Sequence, residues 1–499
     1  MKHLTNIAFV VTFALVVLTT KMYQLWNFAP QSTHQWRQTD SAGMMLVYTQ
    51  NGLNFFSPGI MNSMNGDYHT VAEFPIFYYL AAVCCNVFGY SEFWLRAIHL
   101  LVLAFGLYYF FRWLVQLTAS VPLAAALILV VSSSPVLIYY GFNMLPDPAG
   151  LGLAIAAISL IGLHQQKALS RSERVLLGCC IALAGMIKLP FVLVPVGYFL
   201  FTLWKSSSQA VLLKRSVLIG IAFAGLWLLV AKGYNYLHHS DYFLARLMPI
   251  WKCDAEDITN IFLRIKNGWL LDYFSPAVWL LFLVSLLGLI WQFRTMVLSL
   301  RFLWIFAATT ALVVFLCWFI QFEHHDYYWI LIYPFFMLTF ALGTLAVQQR
   351  FPSSNLIMIL VLLVVAASQL LHANQVIWSR YDLTSPFQID CLPRVYHHRA
   401  EIQNWLSSNQ VTTEEKVLNI SDGMTNGSLY FLQRHGWNQF NFKVHHQKLD
   451  STGVAYFKEI GAKYLIFHES RWKDTSWIKS RINLSGVSTF RDSLFLVKL

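Results

Sequence analysis

The sequence predicts a polytopic α-helical membrane protein of about eleven transmembrane helices, with interfacial helices in its first outer loop and a small C-terminal α/β domain. Three observations carry that expectation. Of 499 residues, 57% are hydrophobic and only 12% are charged, about half the charged fraction of a soluble domain. The apolar residues gather into runs that approach the roughly 20 residues needed to cross a hydrocarbon core. The basic residues behind the net charge of +11 cluster in short loops between those runs, which is the positive-inside pattern and not a nucleic-acid groove.

The first run, near 4–24, follows only Lys2 and His3 and leads into Lys21, Met22, Tyr23 and Trp26. With no small-x-small cleavage site, it reads as an uncleaved helix with an interfacial anchor. Further runs lie near 95–117, 121–141, 147–164, 174–188, 190–205, 215–233, 274–293, 302–320, 328–347 and 354–372. Another apolar segment, Phe74 to Tyr90, is broken by Pro75. It reads as re-entrant or interfacial, because counting it as a span spoils the charge asymmetry. With the N-terminus in the cytoplasm, the inner connections hold Lys167, Arg171 and Arg174, then Lys205, Lys214 and Arg215, then Arg294 and Arg301, and then Arg350. The outer segments 27–73, 234–273 and 321–327 are mixed in charge and rich in aromatics.

This divides the chain into a transmembrane domain over 1–372 and an extracytoplasmic domain over 373–499. In the tail, Lys416-Val417-Leu418-Asn419-Ile420 and Lys463-Tyr464-Leu465-Ile466-Phe467 read as short buried strands, with a closing strand over Ser493 to Leu499. Helical stretches lie near 396–407, 427–434 and 452–460. Cys84, Cys85, Cys179, Cys180 and Cys317 sit in apolar runs and read as packing. Cys253 and Cys391 fall in outer polar segments, where the sequence neither requires nor excludes a disulfide. Asn419-Ile420-Ser421, Asn426-Gly427-Ser428 and Asn483-Leu484-Ser485 match the glycosylation acceptor pattern, which matters only in a eukaryote.

The chemistry-bearing residues fall on the outer side. His34-Gln35-Trp36-Arg37-Gln38-Thr39-Asp40 follows the first span, and Ala42, Met45, Leu46 and Thr49 then form an amphipathic stripe. Asp40 therefore stands at the start of an interfacial helix, as its cap or as a reactive carboxylate with Arg37 and His34 beside it. Glu73 precedes Phe74-Pro75 and reads as a solvated helix edge or a second acid. Asp147, in Leu145-Pro146-Asp147-Pro148, is favoured as a helix start. Lys188 lies between two apolar runs and must snorkel or bind an anion. Arg96 and His99 share a helix face, where a guanidinium suits a phosphate. Glu323-His324-His325-Asp326-Tyr327-Tyr328 offers metal-ligand types, but adjacent residues rarely chelate one ion. Hydrogen bonding to a polar substrate is the favoured reading there.

In order and topological side, these motifs resemble the C-type (GT-C fold) membrane glycosyltransferases. Within that group the likeness is to the dolichyl-phosphate-mannose protein mannosyltransferase-like and bacterial aminoarabinose transferase-like families (glycosyltransferase family 39-like). The likeness runs through the Asp40 motif, Glu73-Phe74-Pro75, Met144-Leu145-Pro146-Asp147, Lys188-Leu189-Pro190 and His325-Asp326-Tyr327-Tyr328, and covers about residues 1–345. Asp40 is followed by Ser41, where many relatives carry a second acid. The resemblance implies transfer of a sugar from a polyprenyl-phosphate donor to an acceptor hydroxyl outside the cytoplasm, with inversion. It implies Asp40 as general base and Asp147 and Glu73 as positioning acids. Arg37, Arg96 and Lys188 would meet the phosphate, while Tyr327 and His325, with His34, would line the substrate site. Trp251, Trp269 and Tyr273 would cover the lipid-carrier groove.

The expected partners are a polyprenyl-phosphate sugar donor, a glycan, lipid or protein acceptor, and membrane lipid, with no nucleic acid. No definite cofactor is called for; a divalent metal is considered only at the 323–326 loop. The expected location is the inner (plasma) membrane if the chain is bacterial. There is no Walker motif or Gly-rich phosphate loop, which disfavours a nucleotide-driven pump. Two alternatives remain: a transporter or flippase of lipid-linked sugars, and a polysaccharide polymerase or ligase using lipid-diphosphate glycans.

Overall fold

The computed structural model describes residues 2–65, 67–164, 169–204, 208–240, 242, 247–382, 384, 391–471 and 487–499. The chain forms two compact units: Met1–Trp26, Arg96–Val230 and Ala245–Ser379 make the first, and Asn27–Leu95, Ala231–Leu244 and Arg380–Leu499 the second.

Among the described residues, each of the eleven apolar runs falls mostly in helix. Among the described residues, six helices are long and apolar enough to cross a membrane: His3–Thr20, Phe93–Thr118, Leu213–Leu237, Leu298–Cys317, Asp326–Arg350 and Pro352–Tyr381. Two apolar pairs bend sharply, Val121–Ser132 with Pro135–Gly141 by 78° and Ala255–Tyr273 with Pro276–Gln292 by 93°. Counting each pair as one span gives eight, against the expected eleven. The other three runs fall in Asp147–His164, Arg171–Ile187 and Leu193–Trp204, the first and last of which border residues outside the described set. At 1.5 Å per residue the 17 residues of Arg171–Ile187 reach about 26 Å, against a hydrocarbon core of about 30 Å. Ile76–Phe88, with 13 residues, extends about 20 Å, so length alone keeps it from spanning.

In the first unit, Asp326–Arg350 is buried almost throughout, while Leu213–Leu237 and Pro352–Tyr381 are mostly bare. Leu218, Ile219, Phe223, Leu226 and Leu229 stand exposed on the former, a continuous apolar face of the kind a bilayer covers. Phe93–Thr118 and Asp147–His164 pack backbone to backbone. A Cβ on Gly106 would strike the Gly152 carbonyl, and one on Gly152 would come within 2.7 Å of the Leu103 Cα. Small residues let these two backbones touch. Of the aromatics expected over a carrier groove, only Trp251 is exposed. Trp269 is buried under the Arg264 guanidinium, 4.4 Å from the ring centroid, and Tyr273 stacks on Trp329 at 4.0 Å. Packing rather than ligand contact explains both.

The second unit holds a five-stranded sheet in which β1 (Val417–Asn419), β2 (Gly436–Asn438), β3 (Tyr464–His468), β4 (Ser488–Phe490) and β5 (Leu494–Lys498) run in the order β2-β1-β3-β5-β4. β1 is parallel to both β2 and β3, and β5 is antiparallel to β3 and β4. Helices Gly427–Leu432, Gln439–Val444 and Ser451–Glu459 lie between the parallel strands in sequence. Leu418, Trp437, Phe442, Phe457, Leu465, Phe467 and Val497 are buried together as the core.

The first outer loop attaches at the β2 edge. Ser63 N–H donates to Gly436 O at 2.7 Å, and Gly436 N–H donates to Met61 O at 3.3 Å. Gly436 has φ 155°, and a Cβ there would collide with Val417, so only glycine lets three backbones meet. Asn62 seals the joint, donating to Thr425 O and Asn441 Oδ1, both at 2.8 Å.

Among the described residues no disulfide forms; the Cys391 thiol instead contacts Ser32 O at 3.4 Å. Asn419 and Asn426 are fully buried, which removes them as glycosylation acceptors. Asn483 lies outside the described residues.

Candidate functional site

Asp40 is neither a cap nor a helix start. The helix runs from Gln35 to Gln50, with His34 at the N-cap in the left-handed region (φ 57°) and no side-chain cap bond. The His34 carbonyl accepts from Arg37 and Gln38 N–H at 3.0 and 3.1 Å, and its ring meets Trp36 edge-on at 6.5 Å. This begins the helix five residues before Asp40, which becomes an interior residue with no exposed surface.

Arg37 and Asp40, three apart, share a helix face. The Arg37 guanidinium donates to Glu73 Oε1 at 2.6 Å, and the Tyr78 hydroxyl donates to the same oxygen. Glu73 is therefore a buried partner rather than a solvated edge. Asn426, from the tail, donates through Nδ2 to Asp40 Oδ1 at 2.6 Å. Its orientation is locked because its own Oδ1 accepts from Asn62 N–H at 3.1 Å, so the amide can only donate toward Asp40. Burial drives the Asp40 carboxyl up to about 6, against the opposing pull of Arg37, Asn426 and Tyr242. This gives a dry carboxylate that is mostly ionised at neutral pH, close enough to neutrality to take and return a proton.

A second polar group lies in the first unit. Lys188 sits in extended backbone (φ −154°, ψ 118°) where Arg171–Ile187 ends and a short 3₁₀ turn begins. Its Nζ donates to Asp147 Oδ1 at 2.6 Å and lies 4.3 and 5.1 Å from the Tyr328 and Tyr327 ring centroids. The cation thus meets a buried carboxylate and two aromatic faces. Asp326 is buried and accepts from the Tyr140 hydroxyl. The Tyr140 ring packs on Tyr327 at 5.7 Å, and His325 lies 5.4 Å from Tyr327. Glu323 and His324 point to solvent while Asp326 turns inward, so the 323–326 loop does not gather a metal site. Arg96, also buried, donates to Trp26 O at 3.1 Å and fastens the chain after the first helix.

Of the residues expected from sequence, the structure gathers Asp40, Arg37 and Glu73 in one cluster and Asp147, Lys188, His325 and Tyr327 in another. His34 and Arg96 serve backbone geometry. Sequence reading missed Asn426, Tyr242 and Tyr78. Tyr78 stands in the Glu73–Leu80 stretch without a role of its own there, Tyr242 carries no motif, and Asn426 drew notice only as a glycosylation pattern.

The sequence matches no protein-family model and no curated protein. Its fold is nonetheless similar to solved structures. ArnT from Cupriavidus metallidurans, bound to undecaprenyl phosphate, is 12% identical with a TM-score of 0.62, covering 98% of this chain and 97% of that one. The Archaeoglobus fulgidus oligosaccharyltransferase in complex with Zn and sulfate is 12% identical with a TM-score of 0.51, over 91% of this chain and 68% of that one. The same enzyme in its apo form gives 10% and 0.54, over 92% and 70%. At such identities the likeness is one of fold, shared with ArnT and with the oligosaccharyltransferase.

Proposed function

We propose that this protein transfers a sugar from a polyprenyl-phosphate-linked donor to an acceptor hydroxyl on the extracytoplasmic face of the membrane, with Asp40 as general base. The observation that carries the reading is the Asp40 carboxyl itself. It is buried, oriented by a locked amide, set beside a guanidinium and poised near 6. The GT-C fold and the exposed apolar helices support a lipid-borne donor.

In this reading Asp40 takes the acceptor proton as the hydroxyl oxygen attacks the anomeric carbon from the side opposite the phosphate. The bond to the phosphate oxygen breaks, the configuration inverts, and polyprenyl phosphate leaves. Arg37, held by Glu73, keeps Asp40 ionised and oriented. Lys188 is the proposed cation for the carrier phosphate, with Asp147 as its positioning partner, and Tyr327 and His325 are proposed to contact the sugar. The donor is already activated, so the reaction needs no nucleotide. The N-terminus is placed in the cytoplasm, and all eleven apolar runs are taken to cross the membrane.

The test is reconstitution in liposomes with a panel of polyprenyl-phosphate sugars and an acceptor extract, reading polyprenyl phosphate released and glycan formed. Sugar-dependent release supports the proposal. Movement of intact donor across the bilayer without release would identify a flippase, and turnover only with lipid-diphosphate glycans a polymerase or ligase. Labelling a cysteine introduced at the exposed Thr259 from the outside tests the sidedness.

A further inference from the structure

Asp67, His69 and His238 stand apart from the residues used above and share none of them. One carboxylate oxygen and one ring nitrogen from each histidine lie within 4.8 Å of one another. His69 Nδ1 is 2.5 Å from Asp67 Oδ1, and His238 Nδ1 is 2.7 Å from Asp67 Oδ2. The two imidazoles lie 4.7 Å apart, tilted by 30°. We propose that these three side chains bind a divalent metal, with Zn2+ the best match, and that the ion clips the first outer loop to the residues that follow the Leu213–Leu237 helix.

Two imidazoles and a carboxylate are a zinc donor set, leaving a fourth position to water. Tetrahedral zinc with bonds of about 2.0–2.1 Å sets its donors about 3.3 Å apart, inside the 4.8 Å that encloses one Asp67 oxygen and one nitrogen from each ring; the ligating oxygen needs to draw back from its own imidazole by only about 0.6–0.8 Å. The outer partners of such a site are present. Ser57 Oγ is 2.9 Å from His69 Nε2, which fixes the ring and leaves Nδ1 to face the ion. Asp67 Oδ1 accepts from the His69 N–H at 3.0 Å, and Tyr234 packs on the His238 ring at 4.5 Å.

The segments bearing the ligands are already fastened. Asn235 accepts from Val71 N–H at 2.8 Å and donates to Val71 O at 2.7 Å, and Tyr234 donates to Pro58 O at 2.9 Å. The site is thus held in place before the ion arrives, and ligand variants should still fold.

The experiment uses the full chain in detergent, stripped with chelator and titrated with zinc chloride against a competing indicator. The expected result is one equivalent bound by the wild type, lost in His69→Gln/His238→Gln, and weakened about 10–100-fold in Ser57→Ala, which removes only the outer hydrogen bond. Cobalt substitution should give a tetrahedral visible spectrum in the wild type and not in the double variant. A wild type that binds no more zinc than the double variant overturns the site. It would mean that Asp67 and the two histidines form only a hydrogen-bonded clasp. If the double variant fails to fold, undiminished affinity in Ser57→Ala overturns the site as proposed.

Discussion

Asp40→Asn should separate stability from activity. In the wild type the carboxyl is moved from 3.8 to about 6, burial being the largest cause. At 1.36 kcal/mol per pH unit, a rise of roughly two units means that ionised Asp40 costs the fold about 3 kcal/mol. The folded state holds the proton where the unfolded chain has released it, so the wild type loses stability as pH rises from about 4 through about 6. Asparagine does not titrate, and its Oδ1 can still accept from Asn426. The variant is therefore expected to melt above the wild type at pH 7.5, by up to the equivalent of about 3 kcal/mol. That margin should shrink below pH 6 and vanish near pH 4. Thermal unfolding of detergent-solubilised protein, followed by tryptophan fluorescence across this range, measures it. A variant that melts below the wild type at pH 7.5 would refute the reasoning, since ionised Asp40 would then be a net stabilising group.

Other expectations follow from the same geometry. Arg37→Met leaves the buried Glu73 carboxylate its Tyr78 hydrogen bond but not its guanidinium and should cost about 3–5 kcal/mol, while Arg37→Met/Glu73→Leu should recover most of it in the same melting assay. Gly106→Ala drives a methyl into the Gly152 backbone and should destabilise by about 1–3 kcal/mol. Gly225→Ala, with nothing within 4 Å, is the neutral control. The kcat/KM of sugar transfer should fall about tenfold per pH unit below about 6, as Asp40 takes up its proton. A flat profile down to pH 5 would detach the reaction from this group.

Sequence legibility followed the range of the interactions. The apolar runs were visible because helix and bilayer impose local rules, yet their number of crossings was not, since composition alone does not show the 78° bend between Val121–Ser132 and Pro135–Gly141. The strands at 416–420 and 463–467 showed in their β-branched and aromatic content. β2, with Gly436 at φ 155°, did not, because its pairing partners lie in distant segments. Around Asp40, the charged members could be named from neighbouring motifs. Asn426 could not, because its role comes from the tail folding onto the first outer loop. The same limit hid Asp67, His69 and His238, whose third member lies far along the chain from the other two.

The central claim is that Asp40 removes the acceptor proton. Its most direct test is to measure polyprenyl phosphate release by Asp40→Asn in the reconstituted system, alongside donor binding. The expected result is loss of transfer to background with donor affinity retained and the fold at least as stable as the wild type. Turnover at the wild-type rate would contradict the claim and remove Asp40 from the mechanism.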